Sequence, residues 1–264
     1  MIHTLITGAS SGLGKEFAVQ CARRGMNLLL LALPGGNTQT IADNLAQEYK
    51  IDAKIFELDL TNSLELQSTV DTITAQYNIN FLINNAGMGG TSLITETSLE
   101  RIDQIIQLNV RSLAMLTRML LPQLLKNGNS YIMNISSMAA FVPIAYKTVY
   151  PASKAFISSF SLGLREELKD QGLSVSVVYP GPIMTNYNTS ERILAQGLKG
   201  KIGLLPTAEI AAIAVKQTLA GKATIIPGLF NKISQALMTF LPLGFQLRLV
   251  SGQVKNEVKY AIPA

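Results

Sequence analysis

The 264-residue sequence has very few of the residues on which several kinds of chemistry depend. Cys21 is the only cysteine and His3 the only histidine, so an intramolecular disulfide is impossible, and neither a metal site nor Ser-His-Asp catalysis is expected. A single thiol suits a reducing compartment, and the N-terminal residues lack the basic stretch and long apolar run of a signal peptide. We therefore expect a cytoplasmic protein without a metal.

Charged residues are also scarce, at 15% of the chain with a net charge of +5. The 22 lysines and arginines are scattered, and no nucleic-acid-binding module is recognisable, so a nucleic-acid partner is not expected. The 48% hydrophobic content excludes a disordered chain. These proportions indicate a globular protein with a full core.

Strand-like runs alternate with helical patterns along most of the chain. The alternation predicts right-handed βαβ crossovers, hence a doubly wound, mostly parallel seven-stranded sheet with helices on both faces. No linker or composition break divides residues 1–227, so we expect one domain with residues 228–264 as a C-terminal extension. The predicted strands are residues 3–7, 27–33, 53–58, 80–83, 130–135, 174–178 and 223–226. The predicted helices are residues 13–24, 38–49, 63–77, 99–121, 150–169 and 207–220.

A glycine-rich turn, TGASSGLG from Thr7 to Gly14, joins the first predicted strand to the first helix. Glycines accept positive φ angles and let the backbone approach a pyrophosphate, while the N–H groups at the helix start face the anion. The strand before and the helix after make an ordinary tight turn improbable. The spacing is G-x-x-x-G-x-G rather than G-x-G-x-x-G, which indicates one branch of dinucleotide-binding folds.

In such folds an acidic residue at the end of the second strand holds the adenosine ribose. The sequence at that place is ALPGG, from Ala32 to Gly36, with neither a carboxylate nor an arginine. The missing acid removes a repulsion against a 2′-phosphate without supplying an attraction. This favours NADP(H) over NAD(H).

Tyr150 and Lys154 are four residues apart on a predicted helix and therefore share a face. An ammonium group beside a phenol would lower the phenol pKa from its usual value near 10, as general acid–base catalysis requires. Alone, the pair is commonly a solvated tyrosine beside a surface lysine. Ser137, thirteen residues upstream at a predicted strand end, favours the catalytic interpretation.

With these motifs in order from Thr7 to about Pro227, the sequence resembles the short-chain dehydrogenase/reductase family of the classical type. The resemblance implies a Rossmann-type fold and an NAD(P)(H)-dependent oxidoreductase that interconverts a carbonyl and a secondary alcohol. It also implies a small-molecule substrate and a homo-dimer or homo-tetramer. A non-catalytic dinucleotide-binding scaffold and a membrane-peripheral protein are the alternatives.

By the resemblance, Tyr150 would transfer the proton, and Ser137 would hold the substrate carbonyl oxygen. Lys154 would lower the pKa of Tyr150 and bind the nicotinamide ribose. Asn109 would kink the long helix and anchor a water that relays protons through Lys154, although alone it could merely satisfy a helix carbonyl. Pro151 disfavours an α conformation for Tyr150, so we expect Tyr150 at the very start of its helix.

The resemblance also implies a set of cofactor contacts. Asp59 would bond the adenine, although it could instead cap the following turn, and Asn85 to Gly87 would support the central sheet and line the adenosine ribose. Ile183, through its backbone, and Thr185, through its hydroxyl, would position the carboxamide. The expected cofactor-binding residues are Thr7, Gly8, Ser10, Ser11, Gly12, Leu13, Gly14, Asp59, Leu60, Asn85, Ala86, Gly87, Tyr150, Lys154, Pro180, Gly181, Ile183 and Thr185.

The remaining segments concern the substrate. Residues 186–205 resemble the family's substrate lid, although an ordinary surface excursion would look similar. Residues 229–241 show the spacing of an amphipathic helix, and neither this stretch nor residues 243–250 reaches the ~20 apolar residues of a membrane span. A cover over a hydrophobic substrate is favoured, then a subunit interface. A membrane surface ranks last, because only Lys232 and Arg248 are near.

Overall fold

The computed structural model of the chain describes residues 1–182 and 204–261, without the side chains of residues 253 and 256–261. A π-helical turn, Gln107–Ser112, and a short 3₁₀ turn, Met138–Ala140, accompany the regular elements. The strands are β1 (Ile2–Thr7), β2 (Asn27–Ala32), β3 (Ala53–Glu57), β4 (Asn78–Asn84), β5 (Ser130–Ile135), β6 (Leu173–Val178) and β7 (Thr224–Ile225). The helices are α1 (Gly12–Ala22), α2 (Thr38–Tyr49), α3 (Ser63–Gln76), α4 (Leu99–Ile106), α5 (Leu113–Asn127), α6 (Val149–Glu167), α7 (Thr207–Leu219), α8 (Leu229–Phe240) and α9 (Leu243–Ala261).

The seven strands form one sheet in the order β3-β2-β1-β4-β5-β6-β7, and every neighbouring pair is parallel. The predicted doubly wound α/β fold is confirmed. The strand order changes direction between β1 and β4. In open α/β sheets, ligands bind outside the carboxyl ends of the strands at such a switch point.

Strand β2 shows why the sheet is covered on both faces. Its four leucines, Leu28 to Leu31, are all fully buried, as expected for a central parallel strand. Leu28 and Leu30 belong to the core with α1, α2 and α7, while Leu29 and Leu31 belong to the core with α3 and α5. Alternate side chains of one strand thus fill both layers.

The prediction of one long helix over residues 99–121 was wrong in two respects. The π-helical turn divides it into α4 and α5, and α5 continues through Pro122 to Asn127. A π turn adds one residue to a helical turn, which an apolar periodicity does not reveal, and such turns are common at functional sites. This one contains Asn109, where the family resemblance implied a kink.

Helix α6 begins at Val149, so Tyr150 and Pro151 lie in its first turn, as expected from the restriction that Pro151 imposes. The carbonyl of Lys147 accepts a hydrogen bond of 3.0 Å from the N–H of Tyr150. The backbone N–H of Tyr150 is therefore fixed by the turn that precedes the helix.

Cys21 lies on the inner face of α1 and is fully buried in the core. Burial raises the pKa of its thiol to about 12. Cys21 is therefore a small core residue rather than an exposed, reactive thiol.

The segment expected to form a lid, residues 186–205, lies outside the described residues except for Leu204 and Leu205. Leu205 packs against the core that contains α1 and α7. After β7 the chain continues as two helices, α8 and α9.

Candidate active site

The glycine-rich turn between β1 and α1 is built on conformations that only glycine adopts easily. Gly8 and Gly12 have φ angles of +66° and +53°. A Cβ on Gly14 would lie 2.0 Å from the carbonyl oxygen of Gly8, so any larger residue would push α1 away from the turn. The three glycines thus bring the start of the helix close to the end of β1.

Thr7 and Asn85 hold this turn against the end of β4. The hydroxyl of Thr7 accepts hydrogen bonds from the backbone N–H groups of Asn85 (2.9 Å) and Ala86 (3.0 Å). The Asn85 amide donates to the carbonyls of Thr7 (3.0 Å) and Gly8 (3.2 Å). Asn85 therefore supports the central sheet, as the family resemblance implies.

The N-terminus of α1 fits an anionic group. Ser11 is the N-cap residue, but its side chain makes no capping hydrogen bond, and the first turn contains no acidic residue. Such an uncapped helix start presents backbone N–H groups and a positive dipole to an anion, as a dinucleotide pyrophosphate would require. Ser10 is half-buried, while Leu13 packs its side chain into the core and offers only its backbone.

Asp59 and Leu60 follow β3, at the edge expected to receive the adenine. The Asp59 carboxylate accepts hydrogen bonds from the N–H (2.9 Å) and hydroxyl (2.8 Å) of Thr61, so it does cap the following turn. Asp59 is exposed and Leu60 buried. Their contact with a cofactor stays a prediction.

The hydroxyls of Ser137 and Tyr150 lie near each other at the carboxyl ends of the strands. Ser137 begins the 3₁₀ turn after β5, and its hydroxyl accepts a bond of 3.2 Å from the N–H of Ala139, which fixes its rotamer. Removal from water raises the pKa of the Tyr150 phenol, and the neighbouring Ser137 hydroxyl opposes that rise.

Lys154 lies below the Tyr150 ring, with its Nζ 5.8 Å from the ring centroid. The Nζ donates a hydrogen bond of 2.8 Å to the carbonyl of Ile135, and burial lowers its pKa to about 8. We expected the ammonium to lower the pKa of Tyr150. In this chain burial of the phenol instead raises the pKa of Tyr150, and burial of the ammonium lowers that of Lys154.

Asn109, in the π-helical turn, is buried and does not merely satisfy a helix carbonyl. Its Oδ1 accepts from the N–H of Met88 (2.9 Å), and its Nδ2 donates to the Met88 carbonyl (2.8 Å). The same Nδ2 donates to the hydroxyl of Ser153 (2.9 Å). A Cβ on Gly87 would lie 3.2 Å from Asn109 Oδ1 and 3.3 Å from Lys154 Nζ, so Gly87 lies between the two polar groups. The water anchored by Asn109 stays a prediction.

Several residues that sequence reasoning missed support this arrangement. Ser153 joins Asn109 to Tyr150, because its hydroxyl donates to the Tyr150 carbonyl at 2.7 Å. Gly89 lies against the Tyr150 ring, and its carbonyl accepts a bond of 2.6 Å from the Arg101 guanidinium. The position of Ser153 between the motif tyrosine and lysine was a usable signal. Nothing in the sequence pairs Arg101 with Gly89.

A buried polar chain crosses the sheet behind the site. The Asn84 amide donates to Asn134 Oδ1 (2.8 Å) and to the hydroxyl of Thr117 (3.0 Å). The Asn134 amide donates in turn to the hydroxyl of Ser161 (2.9 Å). The signal available in the sequence was an asparagine near the carboxyl end of each of the two strands.

The segment after β6 reaches the same end of the sheet. The Pro180 carbonyl accepts a bond of 3.0 Å from the N–H of Met138, which ties the segment to the 3₁₀ turn. A Cβ on Gly181 would lie 2.6 Å from Asn231 Nδ2 at the start of α8. Ile183 and Thr185 lie outside the described residues. Across the described ranges no cluster of three metal-binding side chains occurs.

Comparison with known proteins agrees with this geometry. The family model for short chain dehydrogenases matches residues 3–194. A very-long-chain 3-oxoacyl-CoA reductase of Anas platyrhynchos is 31% identical over 185 residues, which are 69% of this chain and 59% of that protein. An oxidoreductase of Myxococcus xanthus is 34% identical over 178 residues, covering 67% of this chain and 70% of that protein. The chain therefore spans about three fifths of the length of the reductases it matches.

Solved structures show the same relationship. A bulky-bulky ketone specific alcohol dehydrogenase from Comamonas testosteroni is 30% identical with a TM-score of 0.77, over 92% of this chain and 95% of that chain. A short-chain dehydrogenase from Sphingobium yanoikuyae, in complex with NADPH, is 29% identical with a TM-score of 0.77, over 92% and 97% of the two chains. The sequence match and the parallel sheet agree. The chain belongs to the short-chain dehydrogenase/reductase family of nicotinamide-dependent oxidoreductases.

Proposed function

We propose that the protein is an NAD(P)(H)-dependent oxidoreductase that interconverts a carbonyl and a secondary alcohol, with Tyr150 as the general acid or base. The observation that carries this proposal is that Ser137, which follows the carboxyl end of β5, lies near Tyr150 and Lys154 in the first turns of α6. A bound nicotinamide would supply or accept the hydride. The chain itself has to orient the carbonyl and move one proton.

The neighbouring hydroxyls of Ser137 and Tyr150 define a place where one oxygen atom of a substrate could contact both. Ser137 would orient that oxygen, and Tyr150 would give it a proton or take one away. Lys154, held by the Ile135 carbonyl, lies close enough to stabilise negative charge on the phenol when it is itself protonated.

NADP(H) is the cofactor that we propose. The described residues after β2, from Leu33 to Asn37, contain no carboxylate that would repel a 2′-phosphate. The related dehydrogenase from Sphingobium yanoikuyae binds NADPH. The ratio of kcat/KM for NADPH over NADH should exceed one, and a higher value with NADH would contradict the preference.

A bulky apolar ketone or 3-oxoacyl thioester is the substrate class that we propose. Ser137 is followed by Met138 and Phe141, and the Phe141 ring packs 4.5 Å from that of Tyr179, so the surroundings of the hydroxyl are apolar. Two relatives are named for substrates of this kind, very-long-chain 3-oxoacyl-CoA and bulky ketones. Burying such groups would contribute roughly 25 cal/mol per Å² of apolar surface.

The test is a substrate panel followed by absorbance of the reduced nicotinamide, with NADPH and NADH in parallel. The panel contains bulky ketones, 3-oxoacyl-CoA thioesters of increasing length and polar keto-sugars. We expect turnover of the first two groups and a fall in kcat of about a thousandfold in Tyr150→Phe, with dinucleotide binding retained.

Tyr131→Phe is the matched control, because Tyr131 lies near the opposite end of β5. It should leave kcat within about twofold. Full turnover in Tyr150→Phe would reject the proposed role. Dinucleotide binding without turnover of any panel member would favour the alternative, a non-catalytic scaffold.

A further inference from the structure

Helix α8 presents its apolar side outward and its polar side to the protein. Asn231, Ser234, Gln235 and Met238 form the inner face, and Asn231 is only 4% exposed. The outer face consists of exposed side chains one helical turn apart: Leu229, Ile233, Leu237 and Phe240. A surface helix of a globular protein normally has the opposite orientation. The outer face of α8 therefore matches an apolar environment outside the chain.

Helix α9 extends this surface and adds positive charge to it. Its outer side carries exposed Phe245 and Leu249 beside exposed Arg248 and Lys255, while Val254 is buried on the inner side. Between α8 and α9 the chain turns at Pro242, and Phe240 just before the turn is 86% exposed. We call α8 and α9 together the C-terminal hairpin.

The C-terminal hairpin has a net positive charge. Its sequence contains Lys232, Arg248, Lys255 and Lys259 against one acidic residue, Glu257. Two copies of the chain meeting on this face would bring these cations together, which is unfavourable. A cover over a substrate would turn its apolar side inward, whereas the apolar side of α8 faces out.

We propose that the C-terminal hairpin binds the surface of an anionic lipid bilayer. The exposed phenylalanines and leucines would enter the boundary between headgroups and acyl chains, and the cations would attract the lipid phosphates. Within the described part of the chain, no helix has the length and apolar character needed to cross a membrane, so the hairpin would lie in the surface plane.

The C-terminal hairpin is attached to both sides of the site, so binding a bilayer would place the site beside it. At its start, Asn231 packs against Gly181 of the segment after β6. In α9 the hydroxyl of Ser251 accepts a hydrogen bond of 3.0 Å from the N–H of Ala145, five residues before Tyr150. A bilayer on the outer face would therefore lie near the end of the sheet that carries Ser137 and Tyr150.

The test is flotation of the full chain with vesicles of phosphatidylcholine, alone or mixed with phosphatidylglycerol. We expect flotation with the mixed vesicles, weakening as salt screens the charges. Leu237→Asp with Phe240→Asp should abolish it. The double variant Leu64→Asp with Leu99→Asp changes equally exposed leucines on α3 and α4, and it should bind like the unmodified chain.

The triple variant Lys232→Gln, Arg248→Gln, Lys255→Gln should remove the preference for phosphatidylglycerol. Its partition coefficient onto the mixed vesicles should fall by about fivefold for each charge removed. Equal flotation of the unmodified chain and the Leu237/Phe240 double variant would overturn the proposal. Light scattering without vesicles provides a second test. If the unmodified chain is an oligomer that this double variant converts to a monomer, the face joins two copies and the proposal is overturned.

Discussion

Gly89 lies directly against the ring of Tyr150: a Cβ at Gly89 would come 3.0 Å from Cδ2 and 3.3 Å from Cε2 of that ring. These separations are tighter than nine in ten real Cβ contacts, so one of the two groups would have to give by a few tenths of an ångström. Asn109 fixes the preceding residue, Met88, through both its N–H and its carbonyl, and Arg101 fixes the carbonyl of Gly89. The segment cannot easily retreat, so the ring would have to move.

Gly89→Ala should therefore lower kcat by about threefold to tenfold, because a misplacement of about 1 Å at a reacting group costs about a hundredfold and the ring has to shift by a few tenths of an ångström. The Kd for the dinucleotide should change less than twofold. Gly90→Ala is the control, since a Cβ at Gly90 meets no atom within 4 Å. Equal kcat values for the two variants would show that Gly89 does not position Tyr150.

Ser153→Ala should lower kcat about five- to tenfold while leaving KM nearly unchanged. The substitution leaves one hydrogen of the buried Asn109 amide and the Tyr150 carbonyl without their partner, at a cost of about 1–3 kcal/mol in the free energy of unfolding. Ser153→Thr keeps the hydroxyl and should recover most of the activity. Ser159→Ala, at an exposed position of the same helix, is the control. Steady-state kinetics and urea denaturation measure the two effects.

Lys154→Met tests the buried ammonium by the pH dependence of stability. Burial lowers the pKa of Lys154 from 10.5 to about 8, so between these values the unfolded chain holds a proton that the folded chain lacks. The free energy of unfolding of the unmodified protein should therefore rise with pH in this interval, relative to Lys154→Met, by about 2 kcal/mol from pH 7 to 10.

Urea denaturation of the two cofactor-free proteins at both pH values measures the difference. The exposed Lys216 of α7 provides the control variant, Lys216→Met. A difference in the free energy of unfolding between the unmodified protein and Lys154→Met that stays constant with pH would mean that the pKa of Lys154 is not lowered in the folded protein.

Asn84 and Asn134 should behave as one unit. Each is buried, and the hydrogen bond of 2.8 Å between their amides joins β4 to β5. Asn84→Ala and Asn134→Ala should each lower the free energy of unfolding by about 1–3 kcal/mol, because each leaves a buried polar group unpaired. In a double-mutant cycle, the double variant should lower the free energy of unfolding by at least about 1 kcal/mol less than the sum of the two single losses. Additive losses would contradict the coupling.

The sheet and the main site could be predicted because both depend on local patterns. The leucines of β2 signal a strand buried on both faces, and the glycines around Gly12 signal a turn that approaches an anion. Tyr150, Lys154 and Ser137 follow strands or open helices at spacings that bring them to one edge. The expected cytoplasmic location and homo-dimeric or homo-tetrameric assembly stay predictions.

Other features depend on information that no local pattern contains. The bond between Asn84 and Asn134 requires the register of β4 against β5, which places the two residues opposite one another. The hydrogen bond from Arg101 to the Gly89 carbonyl requires α4 to pack against a loop twelve residues earlier in the chain. For α8, the sequence predicts an amphipathic helix but not which of its two faces points inward, and that orientation decides between a substrate cover and a lipid-binding surface.

The burial of Cys21 turns the chain's lone thiol into an internal reporter of unfolding. A thiol with a pKa near 12 and no exposed surface reacts with an alkylating reagent only when α1 separates from the sheet. Because the chain has no second cysteine, every label marks the same opening event. The labelling rate of native protein would therefore read out how often the layer beneath the glycine-rich turn opens, and whether a bound dinucleotide slows it.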